Sequence, residues 1–324
     1  MIEFLTDYGL FLAKLTTAAV IVLVVVGFIV ASTKRSVHQE GLDVENLNKR
    51  FENLGDVVRR AVHGKEQFKK DSKGRRKDAK RLAKKGSQRQ RMFVLDFKGD
   101  IRASATASLR EEVSAVLAVA TKEDKVLVRL ENAGGTVHEH GLAASQLVRI
   151  KARGVPLFVS VDKVAASGGY LMACVADRIM AAPFAIIGSI GVIAQLPNFH
   201  RLLEDKGVDF EQVTAGRYKR TLTMFGKNTD EGRAKIKAEL EDVHELFKNQ
   251  IAEHRPQIDL DKISTGEHWY GVRAMTLNLV DEIRTSDDFL LEAASDYDIF
   301  SVTYKRRRSL SERLLGGVES LLSR

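Results

Sequence analysis

A chain of 324 residues, 44% of them hydrophobic, has room for a sizeable core and more than one structural unit. Its formal charge of +8 is localised: Lys69 to Arg91 holds 12 Lys or Arg against two acids, leaving 39 basic and 41 acidic residues elsewhere. One cysteine, Cys174, excludes an internal disulfide and a cysteine metal cluster, and reads as a buried packing residue. The basic tract has no aromatic residue beyond Phe68, so nothing supports base stacking, and we expect no nucleic-acid partner.

In chain order, residues 10 to 31 read LFLAKLTTAAVIVLVVVGFIVA, interrupted only by Lys14. That length suits one helix across a bilayer, with Lys14 snorkelling near its end. Glu3 and Asp7 before the run, and Ile29 where a small residue is wanted, argue against a cleaved signal peptide. Residues 1–35 are therefore expected to be an uncleaved single-pass anchor in the lipid bilayer. Lys34, Arg35, Lys49 and Arg50 follow the span, and the charge rule places the bulk of the chain in the cytoplasm.

Residues 36–91 read as a charged helical region followed by a basic linker. Val44, Leu47, Phe51, Leu54, Val58 and Ala61 alternate spacings of three and four, a short seam weakened by Gly55. The tract from Lys69 to Arg91 reads as a hinge-like spacer, solvated or facing anionic lipid.

From Met92 strands and helices alternate. MFVLDF (92–97), KVLVRL (125–130), VPLFVSV (155–161), DRIMAAP (177–183) and EQVTAG (211–216) have strand character. Helical patterns lie between them at 108–121 and through Leu142, Leu147 and Ile150. A long charged helix runs from Asp230 to about His254 behind a Thr229 cap. This alternation predicts an α/β domain with a largely parallel sheet over 92–300. The tail, 301–324, contains KRRRSLSERLLGGVESLLSR and is expected to form a basic amphipathic helix.

Two glycine-rich junctions fall where such domains collect ligands. Asn132-Ala133-Gly134-Gly135 follows a buried strand; its backbone N–H groups could form an oxyanion hole, or the loop could be a plain tight turn. Ser167-Gly168-Gly169 opens a helix, and Ser167 is either an exposed nucleophile or an N-cap. His138 and His140 are candidate bases, or polar residues opening a helix, and no third metal ligand accompanies them. Lys219 is the other candidate base. A lysine used as a base near neutrality must be brought down by about three units from ~10.4, roughly 4 kcal/mol of desolvation.

The stretch KVAASGGYLMACVADRIMAAPFAIIGSIGVI, with AGRYK, TDEGRAKI and STGEHWYGVRAMTLNLVDEI in order after it, resembles the signal peptide peptidase A (protease IV) family of membrane-associated serine proteases, in its SohB branch. The likeness covers residues 92 to 295. It implies a ClpP/crotonase-like fold of repeated ββα units and a Ser–Lys dyad with Ser167 as nucleophile and Lys219 as general base. It also implies an oxyanion hole from Gly134, Gly135 and Gly168, with no cofactor and no metal. Two positions depart from the family pattern: Ala133 stands where proline is usual, and Arg220 puts a second cation beside Lys219. The implied substrates are unfolded or membrane-derived peptides such as signal peptides, and the implied state is a homo-oligomer. The implied location is the outer, periplasmic face of the bacterial inner membrane, against the charge rule. Two other readings stay open: a crotonase-type acyl-CoA enzyme on the same fold, and a peptide-binding membrane scaffold that does not cut.

Overall fold

A computed structural model describes residues 8–21, 41–84 and 89–306. The chain divides into two units, Met1–Gly41 with Lys305–Arg324, and Leu42–Tyr304. In the first, residues 8–21 form helix α1 with exposed side chains. Among the described residues no helix is long and apolar enough to cross a membrane. The second half of the 10–31 apolar run lies outside the described residues, as does the tail from 307.

The second unit begins with β1 (Gly41–Asn46) and α2 (Leu47–Lys84), then β2 (Gln90–Lys98), α3 (Thr106–Val119), β3 (Lys125–Glu131), α4 (Val137–Ala152) and β4 (Leu157–Val161). β5 (Val164–Ala166), α5 (Gly168–Ala173), β6 (Arg178–Ala181), β7 (Ile186–Gly188) and α6 (His200–Asp205) follow. The chain closes with α7 (Asp230–His254), α8 (Leu260–Ile263), β8 (His268–Tyr270), α9 (Gly271–Thr276), β9 (Glu282–Ile283), α10 (Ser286–Ala293) and β10 (Tyr297–Lys305). This is the mixed α/β class expected.

One sheet has seven strands in the order β1-β10-β2-β3-β4-β6-β9, and every pair from β10 to β9 is parallel. A parallel sheet is covered on both faces, which is why β2 to β4 read as unbroken apolar runs. Alternate residues divide between two cores. Phe93, Leu95, Phe97, Val126, Val128 and Val159 face α3, α4 and α5, whereas Met92, Val94, Leu127 and Ile299 face α10 and Leu47. A smaller sheet, β5-β7-β8, pairs β5 parallel to β7 and β7 antiparallel to β8. It carries the chain into Ser167.

Four local readings change. Residues 41–46 form a strand, so the helix starts at Leu47 rather than Val44. Only its start docks: Leu47 is buried, Phe51 packs partly buried against the same core and Asn48 bonds Ala294, Tyr297 and Ile299, while Leu54, Val57, Val58 and Val62 are exposed. The basic tract is helical to Lys84 instead of a spacer, because Lys, Arg, Ala and Leu favour helix; the break comes earlier, at Gly64 (φ 73°). The segment 211–216 forms no strand. At the other end β10 pairs with β2 over Tyr297–Ser301 and its β-prone run continues through Lys305, burying Val302; residues 301–305 are sheet rather than amphipathic tail.

Candidate active site

Ser167 sits between β5 and α5 with φ 52° and ψ −120°, a conformation that costs a non-glycine residue roughly 1–3 kcal/mol. Two backbone bonds hold it there: its N–H donates to Gly188 O (2.7 Å), and its carbonyl accepts from Leu171 N (3.0 Å). The side chain caps nothing, so the N-cap reading fails. Its Oγ has no hydrogen-bond partner among the described residues and stands half-buried at the mouth of the elbow.

The glycine loop lies directly against this serine. Asn132 is stitched to β5 on both sides, its N–H donating to Val164 O (2.9 Å) and its carbonyl accepting from Ala166 N (3.0 Å). Two residues on, Gly134 has φ 90°, and a methyl group there would lie 2.7 Å from Ser167 Cβ and 2.9 Å from Gly168 N. Gly134 and Gly168 thus meet at Ser167, whereas Gly135, next in the loop, packs against the Ile101 backbone, and the three are not equivalent. The Gly134 N–H is committed to Asn132 Oδ1 (2.9 Å) and cannot serve an oxyanion. Among the described residues the N–H groups of Gly135 and Gly168 donate to no protein atom, the latter as the orphan first donor of α5.

The two histidines part company. His138 is exposed, 3.9 Å from Glu139. His140 is fully buried, with Nδ1 2.9 Å from Thr136 O and Nε2 3.2 Å from Asn132 Oδ1. Neither is placed as a base for Ser167, and among the described residues no cluster could hold a metal ion.

Lys219 is not brought to Ser167 by any contact among the described residues. It lies exposed in the segment between α6 and α7, where its N–H donates to Gly216 O (3.1 Å). With Arg220 it lines an open hollow of about 780 Å³ walled by Leu196, Phe210, Val213 and Met224, from which Ser167 is absent. The same segment is tied to α7 by Arg217, whose guanidinium pairs with Glu231 (2.7 Å). The elbow and its glycines are therefore assembled; the lysine is not. The sequence places Asn132 in the glycine loop but does not show its side chain as the acceptor for Gly134 N–H, and it does not single out Gly188, whose carbonyl holds Ser167 N–H.

Residues 3–147 match the model of the peptidase family S49 N-terminal region, and residues 149–299 match that of peptidase family S49 itself. A protein of Haemophilus influenzae named "Probable protease SohB" is 46% identical, over 96% of this chain and 92% of its own. The chain belongs to peptidase family S49. A second relative of the same name, from Buchnera aphidicola of Acyrthosiphon pisum, is 54% identical over 73% of this chain and 70% of its own. Among solved structures, a mutant of the 1510-N membrane-bound stomatin-specific protease in complex with a substrate peptide aligns with TM-score 0.44 and 11% identity, over 71% of this chain and 98% of that one. This S49 chain is a peptidase, and its substrates are peptides.

The S49 elbow rests on a buried polar support. Tyr170 is wholly buried and its hydroxyl donates to Leu279 O (2.9 Å). Arg255, 3% exposed, pairs with Asp281 through two bonds of 2.7 and 2.8 Å, and Asp281 also accepts from Ile179 N. Burial pushes the Cys174 thiol up to about 12 and drives Tyr170 well above the ordinary phenol range.

Proposed function

We propose that the chain is a membrane-anchored serine endopeptidase in which Ser167 attacks the scissile carbonyl and Lys219 accepts its proton. The observation that carries this reading is Ser167 itself. A strained residue with a free hydroxyl, beside two unpaired backbone N–H groups, is placed to attack a carbonyl and hold the oxyanion that results. The acyl-enzyme formed on Ser167 is then hydrolysed by water. Lys219 acts once the exposed segment carrying it is drawn out of water against the elbow. The ClpP/crotonase-like arrangement of ββα units belongs to the same proposal, as does homo-oligomerisation; Phe210, Val213 and Phe225 give that segment exposed apolar surface of the kind a second copy covers. The apolar run of residues 10–31 supports an inner-membrane anchor. The family likeness, against the charge rule, favours a catalytic unit on the periplasmic side, with unfolded or membrane-derived peptides, signal peptides included, as substrates.

The test uses detergent-solubilised full-length protein with an unstructured protein substrate and a fluorophosphonate probe. Wild type is expected to cut and to be labelled at Ser167, with Ser167→Ala unlabelled and inactive. Lys219→Ala should lose cutting while staying folded. Equal cutting by Lys219→Ala would remove the lysine from the mechanism.

A further inference from the structure

His140 has no part in the proton transfer proposed above, yet it is buried at the point where both halves of the oxyanion hole meet. On one side its Nε2 lies 3.2 Å from Asn132 Oδ1, the atom that accepts the Gly134 N–H at 2.9 Å. On the other, its ring packs under Gly168 so closely that a methyl there would lie 2.5 Å from His140 Cγ. The first turn of α4 fixes the ring through Nδ1 and Thr136 O (2.9 Å), and Thr136 N in turn donates to Ile101 O (2.9 Å).

We infer that His140, acting through Asn132, is a positioning residue that sets the oxyanion hole of this peptidase; the inference rests on the reading of Ser167 as nucleophile. Asn132 can present either its oxygen or its nitrogen to Gly134. Thr136 O and Asn132 Oδ1 are both acceptors only, so the two contacts together require a proton on each ring nitrogen, and in that form the Nε2–H selects the amide oxygen. With the oxygen inward, Gly134 N–H is held back, the loop turns at φ 90°, and the next donor, Gly135 N–H, is left for the reacting oxygen. Without His140 the amide is held only by the Gly134 N–H and by its own Nδ2 donating to Met172 Sδ (3.4 Å), and Gly168 loses the surface it rests on. Neither residue touches the substrate.

The experiment measures the rate at which a fluorophosphonate labels Ser167 in wild type, His140→Leu, His140→Gln, Asn132→Ala and the double variant His140→Leu/Asn132→Ala. Thermal unfolding and hydrogen exchange of the 132–140 segment are recorded on the same samples. His140→Leu keeps the volume and removes the donor, whereas His140→Gln keeps a donor near the Nε2 position. Each of the two disrupting single variants should label roughly 10- to 100-fold more slowly, less than the ~100- to 1,000-fold cost of deleting an oxyanion donor. The double variant should be no slower than either, and His140→Gln should recover most of the rate. A folding role alone would lower the melting temperature without the recovery by glutamine.

Folded His140→Leu or Asn132→Ala labelling at the wild-type rate would overturn the inference. Should wild type itself not label, the nucleophile reading fails instead. The exchange data then decide the loop: faster exchange at 133–136 in His140→Leu upholds the positioning role, and unchanged exchange overturns it.

Discussion

Gly134 and Ser167 stand on separate chain segments, yet only a hydrogen at residue 134 fits between them. A methyl group there would lie 2.7 Å from Ser167 Cβ and 2.9 Å from both Ala166 O and Gly168 N. The backbone imposes the same choice independently, because φ at Gly134 is 90°. Gly134→Ala is expected to cost roughly 1–3 kcal/mol from the dihedral alone. Relief of the clash moves the loop away from the serine, so cutting by the folded fraction should fall at least about 10-fold, a misplacement of the kind that costs catalysis more than stability. Thermal unfolding and a cleavage assay on the same sample separate the two effects. Full activity in a folded alanine variant would mean that loop and serine are not packed this closely.

Glu112 makes stability depend on pH. It lies on α3, almost fully buried, and burial raises its carboxyl to about 7, with the nearby Asp96 charge adding to the rise and a bond from Tyr304 N opposing it. A carboxyl raised in the folded state stabilises the fold fully below its unfolded value of 4.5; that contribution is lost as pH rises through about 7. The loss amounts to at most about 3 kcal/mol. Glu112→Gln retains an acceptor for Tyr304 N and removes the charge. It should therefore melt higher than wild type at pH 8 and no higher at pH 4. Parallel melting curves for the two proteins would clear Glu112 of this role.

Much of the fold was legible because its strands are buried on both faces. The runs at 92–97, 125–130 and 155–161 announce a covered parallel sheet, and Thr229 caps α7 at the expected place through Gly232 N (3.1 Å). The elbow was legible too, since paired glycines after Ser167 mark close approach. What stayed hidden depends on contacts distant in sequence. Val44 fits the helical seam by spacing, but it becomes strand because β10 offers an edge. Gly134 and Gly135 look alike as a pair; only the turn back of the Asn132 side chain shows that one N–H is spent and the other free. His140 reads as a polar residue opening a helix until Gly168 is seen resting on its ring. Lys219 is recognisable by motif, yet its segment lacks the regular structure that would carry it to the serine.

The pair Arg255–Asp281 should behave as a buried charge that tolerates loss of both partners better than loss of one. Arg255 is 3% exposed and also donates to Asn278 O, so Asp281→Ala leaves a guanidinium out of water without its counter-charge. Such a break costs about 3–5 kcal/mol, or a melting temperature lower by roughly 10 °C. The double variant Arg255→Met/Asp281→Leu should recover part of this. Recovery stays incomplete because Ile179 N loses its acceptor in Asp281 Oδ2 (2.7 Å). If Asp281→Ala melts within about 1 °C of wild type, Arg255 finds another partner and the pair does not support β6 and β9.

Cys174 offers a direct reading of how tightly the floor of the elbow is closed. It caps α5 seven residues after Ser167, is fully buried, and its thiol donates to Leu171 O (3.3 Å). Burial raises the thiol to about 12, so thiolate, the reactive form, is scarce at pH 8 even before access is considered. A thiol reagent such as a maleimide should therefore leave the native protein untouched for hours and react within minutes in denaturant. As the chain has one cysteine, each labelled molecule reports one site. The rate in native buffer measures how often α5 opens, locally or with the whole fold. Rapid labelling in a sample that still melts cooperatively would mean that the helix behind Ser167 opens on its own, and that the strained serine is not held rigidly by its neighbours.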